Sequence, residues 1–384
     1  MQGRTWKIHR RDGVPVKSRG LIVFPRTLSL ATGTVGFYLS TEMDKHDNSQ
    51  EPLTKTLSQS GIFDSIRPHL EALDAFLDKQ VELFAPVTRP LVRYTFSHRG
   101  KRLRPALVFF SGWREETVNP MLVRAAAIVE LIHLATLVHD DVLDDAQIRH
   151  ASPTLFAKYG SHTAVLLGDA ILAQALNLMA ELDSIELCRA TATATRKICD
   201  GEIWQTSERG NADLSVEDYF RIIQMKTGEL FEVSALLGAM LGGNGAEHGK
   251  ACAVFGRSLG RAYQIFDDLV DFLGTEASIG KTLGTDLASG KYTLPIILFL
   301  KKKTDGERAA LVAEIAAGTL APGELADRMK AAGVFDECRE YFMKEIAAAR
   351  EAVAPYGDGF GVSQLLALAD FVVGRVDKFF AARQ

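Results

Sequence analysis

The chain has 384 residues, 47% of them apolar, enough to bury the core of one large domain or two ordinary ones. A formal net charge of −4, with Lys and Arg dispersed beyond the N-terminal stretch, excludes a general nucleic-acid binder, so any anion site has to be local. The four cysteines, Cys188, Cys199, Cys252 and Cys338, form no CxxC pair and fall in helical patterns. That argues against a zinc site or a disulfide framework and for a reducing, cytoplasmic setting.

Residues 1–52 stand apart. Up to Leu39 they carry Arg4, Lys7, Arg10, Arg11, Lys17, Arg19 and Arg26 against the single acid Asp12, with no steady apolar period. We expect a basic, poorly ordered extension: either a start placed too far upstream of Met43, followed by the polar linker "DKHDNSQEP", or an Arg-rich targeting segment. Its apolar stretch "GLIVFPRTLSLATGTVGFYL" is broken by Pro25 and Arg26. No uninterrupted apolar run reaches the roughly 20 residues that span a bilayer, so no transmembrane segment is expected.

From about Leu57 apolar residues recur at three and four, as in "LVRAAAIVELIHLATLV", "AVLLGDAILAQALNLMAEL" and "GELFEVSALLGAMLGG". Strand alternation, hairpin signals and glycine-rich phosphate loops are missing. The expectation is one all-α domain over residues 53–384, built from long helices.

The first charged cluster, "RGKRLRP" from Arg99 to Pro105, precedes a helix expected to begin near Pro105. Lys101 and Arg104, one helical turn apart, are placed to grip one diphosphate. The next helix ends in "HDDVLDDAQIR", four aspartates within six residues of an apolar helix. Asp140, Asp141 and Asp144 spell DDxxD, and a second copy, Asp267, Asp268 and Asp271, lies in "YQIFDDLVDFLG". On a helix, i and i+4 stack on one face with i+3 beside them, so each copy projects clustered carboxylates.

A lone DDxxD is most often a solvated acidic face. Two copies, each inside an apolar helix, are a different matter. Buried unpaired carboxylates cost several kcal/mol each, so a cation has to answer them. Magnesium fits, because it prefers hard oxygen ligands and bridges one or two carboxylates to phosphate oxygens. A phosphorylated ligand in turn calls for basic residues. Candidates beyond the first cluster are Arg149 and His150, Lys226 and Thr227 in "KTGELF", and Lys281 and Lys291, each after a glycine, in "GKTLGTDLASGKYTLP". Gln264, three residues before Asp267, shares its face. His133 lies two turns before Asp140 on one face, which favours a ligand role, whereas His139 reads equally well as a satisfied core histidine.

In this order, "GKRLRP", "LIHLATLVHDDVLDD", "GDAILA", "GEIWQ", "KTGELF", "YQIFDDLVDFLG" and "GKTLGTDLASGKYTLP" resemble the trans-prenyltransferases, or (E)-polyprenyl diphosphate synthases, of medium- to long-chain type. The resemblance implies a bundle of long helices around a deep central cavity, paired as a homodimer, with two aspartate-rich motifs facing each other. It also implies a reaction in which an allylic diphosphate ionises, isopentenyl diphosphate adds to the cation, and a proton leaves. Magnesium, three ions per site once diphosphate is bound, would be held by Asp140, Asp141, Asp144, Asp267, Asp268 and Asp271. Arg149, Lys226, Lys281 and Lys291 would stabilise the leaving diphosphate, and Gln264 and Thr227 would orient the allylic partner. Lys101, Arg104 and His133 match the isopentenyl diphosphate positions, and Gly100 and His150 are also assigned to substrate binding.

The tail is expected to run from Asp140 toward the N-terminal end of its helix, past Thr136 and Ala135, about 6 to 7.5 Å deep. Short-chain relatives carry aromatic floors there. These small side chains, with Ala173 and Leu176 on the helix after, predict a product longer than the fifteen-carbon farnesyl and a shorter one for Ala135→Phe. Two rivals stand. A terpene cyclase normally mixes Asn, Ser or Thr with Glu in its second metal motif and lacks the Lys101 and Arg104 pair. A non-catalytic regulatory subunit usually loses members of an acidic motif.

The chain departs from the family at "RHAS", where relatives carry two arginines and a glycine. Histidine offers at most a partial charge near neutral pH, so affinity for isopentenyl diphosphate should be weak, more so above about pH 7. His150→Arg is expected to lower the Michaelis constant for isopentenyl diphosphate about tenfold, the worth of one charge-assisted hydrogen bond. Steady-state kinetics with an unchanged constant would contradict this.

Overall fold

The computed structural model describes residues 61–97, 100–113, 117–149, 152–273, 285–357 and 361–381. The extension expected over residues 1–52, His150 and Lys281 lie outside the described residues. In chain order the elements are α1 (Arg67–Val81), α2 (Arg89–Ser97), α3 (Leu103–Gly112), α4 (Pro120–Leu143), β1 (Ile148–Arg149), β2 (Ser152–Pro153), α5 (Leu155–Tyr159), α6 (Ser161–Ala180), α7 (Ile185–Ser207) and α8 (Val216–Ile223). A single π turn (Gln224–Gly228) leads into α9 (Glu229–Leu241) and α10 (Ala246–Leu273). Then come α11 (Thr285–Ala288), α12 (Leu294–Lys301), α13 (Asp305–Ala316), α14 (Pro322–Ala331), α15 (Val334–Val353) and α16 (Val362–Ala381).

The architecture is all-α, as the periodicity predicts, apart from the antiparallel pairing of β1 with β2, which the sequence reading missed. Two paired residues per strand are too few to show an alternating pattern. Local chemistry sets the helix starts. Asn119 accepts a hydrogen bond from the Met121 N–H with Pro120 in the first turn, and Ser184 and Ser215 cap α7 and α8. α3 begins at Leu103, ahead of the expected start, with Pro105 in its first turn, where no intrahelical N–H partner is lost. Lys101 therefore precedes the helix, and Lys101 and Arg104 are not a helical turn apart on one face as expected.

The hub is α9, which packs on α3, α4, α7 and α10; α4 packs on α6, and α10 on α15. Backbones meet at glycines. A Cβ on Gly238 of α9 would lie 2.2 Å from the Val108 carbonyl oxygen of α3, and one on Gly256 of α10 would lie 2.4 Å from that of Phe231 in α9.

The expectation of no membrane-length segment needs correction. Two helices, Pro120–Leu143 and Ser161–Ala180, are long and apolar enough to cross a membrane, because a helical window tolerates the occasional charge that breaks an uninterrupted run. In α4, 72% of that window is buried within the protein, which marks a core helix; in α6 only 39% is. The apolar flank of α6 is exposed, with Leu166 69% accessible.

The π turn sits in the same close packing. A Cβ on Gly201 of α7 would meet the Met225 Cβ at 2.7 Å and the Lys226 backbone nitrogen at 2.8 Å, while one on Gly260 of α10 would meet the Gly228 Cα at 3.0 Å. Because backbone cannot yield as a flexible side chain does, Gly201→Ala is expected to displace the turn and cost about 1–3 kcal/mol. Urea unfolding measures this, and an unchanged midpoint would contradict it.

Candidate active site

The first acidic motif closes α4. Asp140 and Asp141 lie in its last turn and Asp144 is its C-cap, with no basic residue in that turn. Carboxylates at a helix C-terminus oppose the helix dipole, so the cations come from elsewhere in the chain. The Lys291 ammonium donates to both oxygens of Asp144 at 2.8 Å, and Arg209 reaches the same carboxylate at 3.0 Å. Arg149 Nε donates to Asp141 at 2.7 Å. Burial pushes the Asp140 carboxyl above its ordinary pKa, with Lys226 opposing.

In the second motif, on α10, Asp268 is 3% exposed and both its oxygens are engaged. The Tyr219 hydroxyl donates to one at 2.6 Å and the Gln264 amide to the other at 2.8 Å, while Thr227 donates to Gln264 at 2.7 Å. Burial, with Asp286 adding to it, raises the Asp268 carboxyl to about 8. Asp271 is buried and accepts the Asp286 backbone N–H at 3.4 Å. The two copies follow one plan. The first and last aspartates share a face, while the second, about 100° round the helix, holds Arg149 in one copy and Tyr219 with Gln264 in the other.

The π turn stands between them. Lys226 donates to Gln205 at 2.9 Å and pairs with Glu202, both on α7. Burial works to lower its pKa, but Asp140, Glu202 and Asp144 outweigh that and the net shift is upward. Its neighbour Thr227 serves the second motif through Gln264. Widened i→i+5 turns of this kind recur at functional sites. Gln224 steadies this one by donating to Glu229 and Glu232, each at 3.2 Å. A second link runs from Asp144 through Lys291, whose N–H bonds the Asp286 carbonyl at 2.8 Å, to the Asp286 N–H on Asp271.

Lys101 and Arg104 meet one aromatic pair. The Lys101 ammonium donates to the Tyr263 hydroxyl at 2.9 Å and the Arg104 guanidinium lies 4.7 Å above the Phe231 ring, which stacks on Tyr263. Burial lowers the Arg104 pKa to about 10, leaving it charged at neutral pH. Between them Arg102 turns elsewhere, at a positive φ of 52°, into ion pairs with Asp74 and Glu130. Gly100 and His133 are half-buried. His139 faces α6, its Nε2 3.2 Å from the Val165 carbonyl and packed where any Cβ on Gly168 would clash. It is half-buried, with its Nε2 also 3.4 Å from the exposed Asp169 carboxylate, so it packs on α6 without being a core histidine.

The expected tail-lining positions separate. Thr136 is half-buried and, four residues from Asp140, lies about 40° from it round the helix. Ala135 is 2% exposed and about 140° away from Asp140 on the same count. Ala173 and Leu176 depart from expectation. α6 buries Ala164, Leu167, Gly168, Ile171, Ala175 and Leu178, whereas Ala173 and Leu176 are exposed, Leu176 at 48%. Ala173 sits about 200° from Ile171, so within one chain neither residue lines a tunnel beside α4. A pocket of about 50 Å³ opens beside Asp141 and Arg149, while a larger cavity of about 470 Å³ lies between α1, α2 and α4, lined by Arg102 and Glu130 among others.

Sequence reasoning missed Glu202, Gln205, Arg209, Tyr219 and Asp286. Glu202 and Gln205 sit in "GEIWQ" and Asp286 in "GTDLASGKY", so their motifs were flagged without roles; Tyr219 and Arg209 carried no such signal. Among the described residues no three metal-ligating side chains converge on one point. The donor set is nevertheless all hard oxygen on both sides of one site, which fits an ion that keeps waters and bridges carboxylates to phosphate.

The polyprenyl synthetase family model matches residues 85–331. The all-trans-nonaprenyl-diphosphate synthase (geranyl-diphosphate specific) of Rhodobacter capsulatus is 32% identical over 285 residues, 73% of this chain and 87% of that protein. Octaprenyl diphosphate synthase of Escherichia coli is 31% identical over 310 residues, 80% and 95% of the two chains. Among solved structures, a decaprenyl diphosphate synthase from Rhodobacter capsulatus superposes with a TM-score of 0.74 at 30% identity, covering 82% of this chain and 98% of that one. A polyprenyl synthase from Caulobacter crescentus, complexed with calcium and isoprenyl diphosphate, gives 0.74 at 28% identity, covering 81% and 96%. With two DDxxD motifs tied together across one bundle, the chain belongs to the polyprenyl synthetase family of prenyltransferases.

Proposed function

We propose that the protein condenses isopentenyl diphosphate head to tail with an allylic diphosphate to give an all-trans polyprenyl diphosphate longer than farnesyl. The observation that carries this reading is the tie between two acidic walls that runs from Asp144 through Lys291 and Asp286 to Asp271, beside a turn whose Lys226 charge acts on Asp140 and whose Thr227 reaches Asp268 through Gln264. Charge of both signs is thereby held in one place, which is what ionisation of a diphosphate ester needs.

Asp140, Asp144, Asp267 and Asp271, with Asp141 and Asp268 bracing them, would hold magnesium, three ions on the family pattern, and the bound ions would act as Lewis acids toward the leaving diphosphate. Arg149, Lys226 and Lys291 bind the departing phosphate oxygens, with Lys281 assigned to the same task by its sequence position. Thr227 and Gln264 orient the allylic partner. Lys101, Arg104 and His133 take isopentenyl diphosphate, the two basic side chains braced on Tyr263 and Phe231. The departing diphosphate removes the proton. Relatives named for octaprenyl and nonaprenyl products support a long chain, and Thr136 on the Asp140 face is assigned the tunnel wall. The exposed apolar flank of α6, with Ile203 of α7 68% accessible, supports pairing with a second copy, and a cytoplasmic location accompanies this reading.

The test is incubation of the purified chain alone with labelled isopentenyl diphosphate, farnesyl diphosphate and magnesium, with products resolved by chromatography. Products beyond fifteen carbons are expected. A cyclised hydrocarbon would point to a terpene cyclase, and no product to a regulatory subunit. Asp140→Asn should lower kcat/KM by about a hundredfold or more, and Thr136→Phe should shorten the product while isopentenyl diphosphate is still consumed. Unaltered product length would contradict the assignment of Thr136.

A further inference from the structure

Two cations converge on Asp144, one more than a single carboxylate needs. Lys291, its side chain 5% exposed, and Arg209 share the Asp144 Oδ1 at 2.8 and 3.0 Å. They arrive from different segments, since Arg209 follows the end of α7 and Lys291 precedes α12. The backbones of the two segments are nonetheless fastened together. The Gly210 N–H donates to the Gly290 carbonyl at 2.8 Å, both glycines adopt positive φ, 78° and 75°, and a Cβ on Gly290 would lie 3.7 Å from that of Arg209. Arg209 and Lys291 thus form a fixed pair of arms ending at one point.

Arg209 is not committed to its own neighbourhood. The adjacent Glu208 is taken up by Trp204 and Asn211. The Arg209 Nε is buried and meets no acceptor among the described residues, although the side chain as a whole is 29% exposed and its Nη2 reaches Asp144. A buried N–H without an acceptor is costly, and a rotation of the arm that brings it to a phosphate oxygen would answer it. A guanidinium also offers a planar fork suited to two phosphate oxygens, where an ammonium offers a point charge.

We propose that Arg209 is a further substrate-binding residue, a basic arm beside Lys291 that donates to the diphosphate oxygens within reach of Lys291. This rests on the reading that the site takes an allylic diphosphate. The competing role is a latch that merely restrains Asp144, and the two roles differ in sign. Losing a phosphate contact weakens diphosphate binding, whereas losing a latch frees a carboxylate for the metal and leaves binding unchanged or tighter.

The experiment is calorimetric titration of the full chain with inorganic pyrophosphate in magnesium buffer, alongside the Michaelis constant for isopentenyl diphosphate. Arg209→Ala is expected to weaken pyrophosphate binding about tenfold to thirtyfold. Arg209→Lys should recover part of the loss, and the isopentenyl diphosphate constant should stay within about twofold. Arg209→Gln, which keeps length without charge, gives the same reading should the alanine variant fail to fold. Unchanged or tighter pyrophosphate binding by these variants would overturn the proposal while leaving the functional reading intact. Failure of the wild-type chain to bind pyrophosphate would overturn both.

Discussion

Everything in this molecule turns on keeping six carboxylates in two apolar helices without letting their charge unfold the site. α4 ends in aspartates at the terminus where its own dipole is negative, and α10 buries Asp268 and Asp271 almost completely. α4 does not supply the compensating charge itself, having no basic residue in its last turn. It arrives from β1 as Arg149, from the end of α7 as Arg209, from the π turn as Lys226 and from the segment before α12 as Lys291. Distant parts of the chain are recruited to one place because that place is electrostatically unbalanced without them.

The π turn shows how local geometry meets that demand. Lys226 and Thr227 are sequence neighbours, yet the first answers α4 and α7 while the second reaches α10 through Gln264. Close approach of α7, the turn and α10 is possible because Gly201 and Gly260 carry no side chain where the elements meet. Packing glycines that look like helix defects in sequence are thus what lets one short turn touch both acidic motifs.

Much of this was legible in the residues. The apolar periodicity revealed the helices, and "HDDVLDDAQIR", "KTGELF" and "GKTLGTDLASGKYTLP" marked Arg149, Lys226 and Lys291, three of the four cations set around the first acidic motif. What stayed hidden had physical reasons. Tyr219 sits in an amphipathic stretch where an aromatic residue reads as core, and only three-dimensional packing reveals its hydroxyl on Asp268. Arg209 lies in the polar run "SERGNADLS", where a charge is ordinarily a solvated one. The face of a residue was harder to read than its helix. Ala173 and Leu176 belong to the predicted helix but lie on its exposed side, because burial in α6 follows the contact with α4 and not the average apolarity of the segment.

The central claim is that the walls carrying Asp140 and Asp267 hold one and the same diphosphate. Its most direct test is a double-mutant cycle on magnesium-dependent pyrophosphate binding, with Asp140→Asn, Asp267→Asn and the pair. If one ligand bridges both walls, the double variant should lose much less affinity than the sum of the single losses, a coupling of about 1 kcal/mol or more. Strictly additive losses would mean that the two motifs act on separate ligands, and the account would be wrong.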